Sequence, residues 1–322
     1  MQPVLSEFVQ GIELGEAQTA ETLVLMPLLS ALPPGPDYLT LSEALAAGTL
    51  TITELHEGGT VPKLAAVNEG ALPVLLLDGE EIIGAKQNRV LNTTILIREY
   101  AKTVLPVSCV EQGRWRYDTH EFHDSPNVMA PRMRARKQRS VSEHLAHSGE
   151  RASDQGDVWE SVAELAADAS APPSPTGAMR DVYAHAEDDI TALVRAFHPL
   201  PDQRGMLVFI QGKPAGVEYI SHARAFAKVF DKLLRGYALE ALITRDKGND
   251  DVTPAAAKTF LAAIEQSDIT SYEAIGYGVE YRIVGKTIVG SALSLANAMI
   301  HVSLLAAQDS TGKRRTRREI IY

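Results

Sequence analysis

Residues 288–307 contain no Lys, Arg, Asp or Glu, and an uncharged run of that length has few ways to fold. About twenty apolar residues are enough to cross a bilayer as a helix. This run also holds Gly290, Ser291, Ser294, Asn297, His301 and Ser303, whose polar groups would need partners in lipid. Leu293 and Leu295 alternate with small or polar residues, as do Ile300, Val302 and Leu304, and Ala296-Asn297-Ala298 between them is turn chemistry. Period two on both sides of a turn predicts a buried β-hairpin. No membrane span is expected.

The first 130 residues read mostly as strand: 49–55, 74–77, 82–83 after the Gly79 turn, 89–97 and 103–110. A short helix at 42–47 has Ser42 as its N-cap and Gly48 as its stop. The middle is helical. A basic helix spans 132–145, and a second starts at Asp157 as N-cap and carries Val158, Val162 and Leu165. The Pro- and Ser-rich loop 170–177 precedes a helix over 179–197. Then follow a strand at 206–210, a turn at 211–214, helices through 226–237 and 254–266, and strand from 281 onward. A β-rich N-terminal part, a helical middle and a mixed C-terminal part ending in a β-hairpin predict an α+β fold. The pattern of strand, glycine turn and strand at 75–84 has a faint echo at 209–216.

The chain has 322 residues, with 31 Lys plus Arg, 41 Asp plus Glu, a formal charge of −10 and 45% hydrophobic residues. That balance argues against wholesale disorder, and it weighs against nucleic-acid binding. Residues 1–62 carry eight acidic groups and neither Lys nor Arg. The apolar stretch at 23–32 is preceded by Glu7, Glu13, Glu16 and Glu21 and contains Pro27, unlike a secretory signal. Cys109 stands alone, which fits a reducing compartment, and a cytoplasmic location is the expectation.

Residues 79–92 carry the most informative chemistry. After Glu80, Glu81 and Gly84 come Lys86, Gln87, Asn88 and Arg89: a point charge, two amides and a planar fork that together suit a phosphate or carboxylate. Arg89 shares a strand face with Leu91, Ile95 and Ile97, so it is expected to point inward. A solvated hairpin end paired to Glu80 or Glu81 is the competing reading. Glu111, Arg114 and Trp115 form a second candidate group, since a strand end holds a carboxylate rigidly and Trp can stack on a base or sugar. The plainer alternative is a Glu111–Arg114 pair beneath a capping Trp. Glu81 and Glu111 are the candidate catalytic carboxylates, and Cys109 reads as a buried, inert thiol.

Asp118, His120, Glu121, His123 and Asp124 cluster in one stretch, but their spacing matches no usual ligand motif and no metal is expected. Nothing in the residues points to a particular cofactor. Arg132, Arg134, Arg136, Lys137 and Arg139 read as a solvated helix face. The cluster at 313–318 reads as part of a basic, flexible tail over 309–322.

The segments YLTLSEALAAGTLTITE at 38–54, DGEEIIGAKQNRVLNT at 78–93, PVSCVEQGRW at 106–115, QGDVW at 155–159 and GMLVFIQGKPAGVEY at 205–219, with PL at 27–28, together resemble the ARG and rhodanese-phosphatase-superfamily-associated protein domain family. The resemblance runs from about residue 12 to about residue 307 and implies a single module over 1–308. The family's name implies a role near ADP-ribose or NAD-derived nucleotides. The expectation is a protein that binds a phosphorylated nucleotide or an ADP-ribose-like ligand, with hydrolysis of that ligand as the enzymatic form. Lys86 and Arg89 would hold phosphate, Gln87 and Asn88 polar edges, and Trp115, beside Arg114, a ring face. The alternative is a non-catalytic homo-oligomer or enzyme-partner module, its C-terminal hairpin pairing across subunits.

Overall fold

The expected hairpin exists and lies in the interior of a large sheet. The computed structural model describes residues 2–56, 62–244 and 252–307. Strands Ile288–Leu295 and Ala298–Ala306 pair antiparallel. The first also pairs with Val279–Val284, and the second with Lys213–Ile220. Both outer edges of the hairpin are therefore filled within the chain. The sheet continues from Lys213–Ile220 through Gly205–Ile210 and Leu23–Ser30 to the short strands Ile12–Leu14 and Gln18–Ala20. Asp268–Glu273 forms its opposite edge.

Helices cover both faces of this sheet, which is why 288–307 reads as an apolar run rather than a strict alternation. Val24, Met26, Leu207, Phe209 and Val302 pack on one side with Leu5 and Phe8 of helix Pro3–Gln10 and Phe260 of helix Pro254–Ala262. Leu25, Val208, Leu293 and Ile300 pack on the other side with Phe226, Phe230 and Leu233 of the long helix Ala223–Thr244. At the hairpin tip, exposed Ala296 has φ 53, a left-handed conformation that costs an L-residue about 1–2 kcal/mol and glycine almost nothing. Ala296→Gly is expected to raise unfolding free energy by about 0.5–1 kcal/mol in a urea titration.

The N-terminal strands form a second, smaller sheet in the order Phe122–Val128, Glu80–Gly84, Arg89–Leu91, Ala101–Cys109, Lys63–Asn68 and Leu50–Glu54. A bridge between Thr53 and Glu121 brings its last strand back beside the first, so the sheet curls nearly closed. Ile52, Leu64, Ala66, Ile82, Leu91, Leu105, Val107 and Phe122 cluster with Leu41 and Ala44 of helix Leu41–Ala46. A short sheet of Leu39–Thr40, Val74–Leu76 and Ile95–Ile97 completes this half.

Several local expectations are corrected. The strand expected over 89–97 is two strands, Arg89–Leu91 and Ile95–Ile97, in different sheets. The break follows from side-chain bonding: Asn92 takes Ser108, Thr93 takes Glu280 and Thr94 takes His301. Ile95 and Ile97 therefore do not share a strand with Arg89. Helix Leu41–Ala46 is capped by Thr40, not Ser42, in a reciprocal box with Glu43, while the Ser42 hydroxyl donates to Asp124. Asp154, not Asp157, caps helix Gln155–Asp168. The helix expected over 179–197 breaks at Ala186 into Met179–His185 and Glu187–Val194. The internal echo fails, because Val74–Leu76 and Glu80–Gly84 lie in separate sheets whereas 205–220 is a true hairpin.

Candidate functional site

Register brings the two motif segments together. Cys109 pairs with Arg89 across adjacent antiparallel strands, so residues 86–88 and 111–114 meet at the same end. One Glu111 oxygen accepts from the Asn88 backbone N–H at 3.0 Å and from Arg114 Nη2 at 2.7 Å. The other accepts from the Thr176 hydroxyl at 3.0 Å. Gln87 donates to the Glu111 carbonyl and accepts from Arg89 Nη1. Arg114 also donates to the Gly84 and Ala85 carbonyls and to Asn88 Oδ1. The Lys86 ammonium sits 5.3 Å from the Trp115 ring centroid and 5.1 Å from that of Tyr117.

These residues spend most of their bonding capacity on one another. Burial pushes the Glu111 carboxyl up, but Arg114, the Asn88 N–H and Thr176 outweigh it and hold the group below its ordinary range. Arg89 is fully buried in the curled sheet, 3.7 Å from Glu54. Cys109 is buried beside it, and burial raises its thiol pKa despite the neighbouring guanidinium, as expected for an inert thiol. Trp115 remains half-exposed.

Glu81 lies apart from Glu111. It is fully buried, bonded to Ser125 at 2.6 Å and to Asn127 at 3.4 Å, with its other oxygen unpartnered. Burial pushes its pKa up to about 7 against those two hydrogen bonds. In the 118–124 stretch, Asp124 is bonded to Lys232 and Ser42. Among the described residues, no group of three or more His, Cys, Asp or Glu is placed to hold a metal ion.

The basic helix, Pro131–Ser148, is not a solvated face. Arg132 and Arg136 pair with Asp168 and Glu164 of the next helix, and Arg134 and Lys137 are buried. Arg134 bonds Glu218 at 2.6 Å, Ser303 at 2.9 Å and Asp78 at 3.4 Å. Lys137 pairs with Asp78 and donates to the Leu91 carbonyl. Gln138 completes the Asp78 shell at 2.8 Å, and Tyr237 donates to Glu218 at 2.9 Å. Gly79, at φ +79, leaves room for this arrangement, since a Cβ there would fall 2.7 Å from the Arg134 side chain. The network joins the N-terminal strands to the large sheet. The 313–318 cluster and the 309–322 tail lie outside the described residues.

A cavity of about 200 Å³ adjoins Gln112 and Gly177, and a larger opening lies elsewhere. A cleft of about 670 Å³ lies against strands Lys63–Asn68 and Ala101–Cys109. Register places Lys102 opposite Val67, Val104 opposite Ala65 and Pro106 opposite Lys63. Residues 149–152, after the basic helix, and Ile275-Gly276 form further walls. Four cations line it: Lys63, Arg98, Lys102 and Arg151; Glu150 is the carboxylate among the lining residues. Lys63 pairs with Glu150 at 3.4 Å and Arg151 with Glu280 at 2.6 Å. Lys102 is exposed.

Arg98 is held by the turn opposite. Its Nε and Nη2 donate to the Gly276 carbonyl at 3.3 and 3.0 Å, and its guanidinium carbon lies 4.3 Å from the Tyr277 ring centroid. Gly276 has φ +84, and a Cβ there would lie 2.2 Å from the Leu96 carbonyl oxygen. Only glycine permits this close approach of the turn to the strand end. None of these cleft residues belongs to the sequence candidates. The available signals were the consecutive outward positions Lys102 and Val104, and the Gly276-Tyr277-Gly278 turn.

No helix among the described residues is long and apolar enough to cross a membrane. The family model of the ARG and Rhodanese-Phosphatase-superfamily-associated Protein domain matches residues 11–305. Comparisons with curated proteins and with solved structures find no match.

Proposed function

This chain belongs to that family, and on this footing we propose that it binds a phosphorylated nucleotide or an ADP-ribose-like, NAD-derived ligand in the cleft beside Lys102. The carrying observation is the pairing of cleft size with one-sided charge. A volume of about 670 Å³ falls in the range of roughly 300–1,000 Å³ typical of small-molecule sites. Of the four lining cations, Lys63 and Arg151 are paired with Glu150 and Glu280, and Arg98 and Lys102 supply the positive charge that favours a polyanion. Val104, Pro106 and Ile275 add apolar surface against which a base or sugar can rest.

Two features favour this cleft over the Lys86–Arg89 segment. Gln87 and Arg114 donate to groups of the protein itself, Asn88 Oδ1 accepts from Arg114, and Arg89 is fully buried. The reading is one of binding. Glu111 is occupied by Arg114, Asn88 and Thr176, and Glu81 is buried, so hydrolysis would fall to Glu150, the carboxylate at the cleft.

A thermal-shift panel of ADP-ribose, NAD, AMP and adenosine tests the reading. Saturating ligand at a hundred times its Kd adds about 2.7 kcal/mol, so Tm is expected to rise by several degrees with ADP-ribose and to stay put with adenosine. No shift with any phosphorylated compound at millimolar concentration overturns the proposal.

A further inference from the structure

Resting on the nucleotide reading above, we infer that Arg98 is the phosphate fork of the cleft and that, with Lys102, it selects a diphosphate over a monophosphate. The guanidinium is already oriented: one edge is pinned to the Gly276 carbonyl and one face lies on Tyr277. Nε–H and one Nη2–H are used there, which leaves the outer Nη1/Nη2 edge directed away from the turn. That edge is the part of Arg that grips two oxygens of a phosphate at once. Among the described residues Arg98 has no carboxylate partner, in contrast to Arg151 and Lys63. An arginine fixed before the ligand arrives loses little side-chain entropy on binding.

Lys102 supplies the second charge. It begins the outward-facing row that runs through Val104 to Pro106, and Arg98 lies just before this strand, Ala101–Cys109. Lys63 stands opposite Pro106, four residues from Lys102 along the row, or about 14 Å at the usual strand rise. Arg98 and Lys102 both line the cleft where the strand begins, and Lys63 lies beyond the Val104 surface. A monophosphate satisfies one of the two cations at that end, whereas adjacent phosphates of a diphosphate satisfy both. Tyr277 and Gly276 are positioning residues that hold the fork.

The test is calorimetric titration of full-length wild-type, Arg98→Lys and Tyr277→Phe proteins with ADP-ribose and with AMP. Wild type is expected to prefer ADP-ribose by at least tenfold. Arg98→Lys keeps the charge and loses the fork, so it should weaken ADP-ribose binding about tenfold, change AMP binding far less and collapse the preference. Tyr277→Phe keeps the ring under the guanidinium but frees Glu99, beside Arg98, from the tyrosine hydroxyl, so it should weaken ADP-ribose binding, though less than Arg98→Lys does, and Tm values of all three check the fold. Wild-type binding that Arg98→Lys leaves unchanged overturns the assignment of Arg98 alone. Wild-type protein that binds neither compound overturns the nucleotide reading, and this inference with it.

Discussion

Arg134→Ala is expected to lower the unfolding free energy by about 3–5 kcal/mol, the range for removing one partner of a buried ion pair. Arg136→Ala, two positions along the same helix, is expected to cost less than about 1 kcal/mol. The difference is burial. Arg136 and Glu164 are both more than 40% exposed at 42% and 43%, whereas the Arg134 and Glu218 side chains are 1% and 0% exposed. Without Arg134, Glu218 retains the Tyr237 hydroxyl as a hydrogen-bond donor, and the His301 ring lies 4.0 Å away. With Arg134 in place, burial pushes the His301 pKa down to about 3 and Arg134 adds to the effect. Urea unfolding of both variants at pH 7 measures the contrast. The Arg134→Ala deficit should shrink as pH falls, because protonation removes the uncompensated Glu218 charge.

Glu81→Gln is expected to stabilise the protein above pH 7 by about 3 kcal/mol and to leave it little changed near pH 4. Burial raises the Glu81 pKa from 4.5 to about 7. Between those values the folded state keeps a proton that the unfolded chain has released. The folded state thus binds more protons, and stability falls as pH rises through the window, levelling above pH 7. A shift of that size corresponds to about 3 kcal/mol at 1.36 kcal/mol per pH unit. Gln carries no charge to desolvate and keeps an acceptor for Ser125. The measurement is the difference in unfolding free energy between wild type and Glu81→Gln at several pH values from 4 to 8. A difference that stays constant across the range contradicts the origin assigned to it.

The α+β class, the buried hairpin and the inward Arg89 were legible because each rests on local pattern: period two, turn residues and a charge among apolar neighbours. The hairpin's place in the middle of the sheet was not, since strand order depends on partners far away in sequence. The basic helix misled for a related reason. Arg132 and Arg136 sit on a surface-like face, while Arg134 and Lys137 of the same helix neutralise Asp78 and Glu218, and only tertiary placement reveals those carboxylates. The convergence of Gln87, Asn88, Glu111 and Arg114 followed from two motif segments on adjacent strands. Whether such groups face a ligand or one another is decided by hydrogen bonds that no spacing encodes. The cleft was illegible because strand 101–109, strand 63–68, residues 149–152 and the Gly276 turn come from four separate stretches.

Titrating ADP-ribose into wild type, Lys102→Glu and Trp115→Ala decides whether the cleft or the Lys86–Trp115 segment receives the anionic ligand. The predicted result is one affinity shared by wild type and Trp115→Ala, with binding at least tenfold weaker in Lys102→Glu, whose reversed charge repels the diphosphate. Binding lost in Trp115→Ala and retained in Lys102→Glu would contradict it.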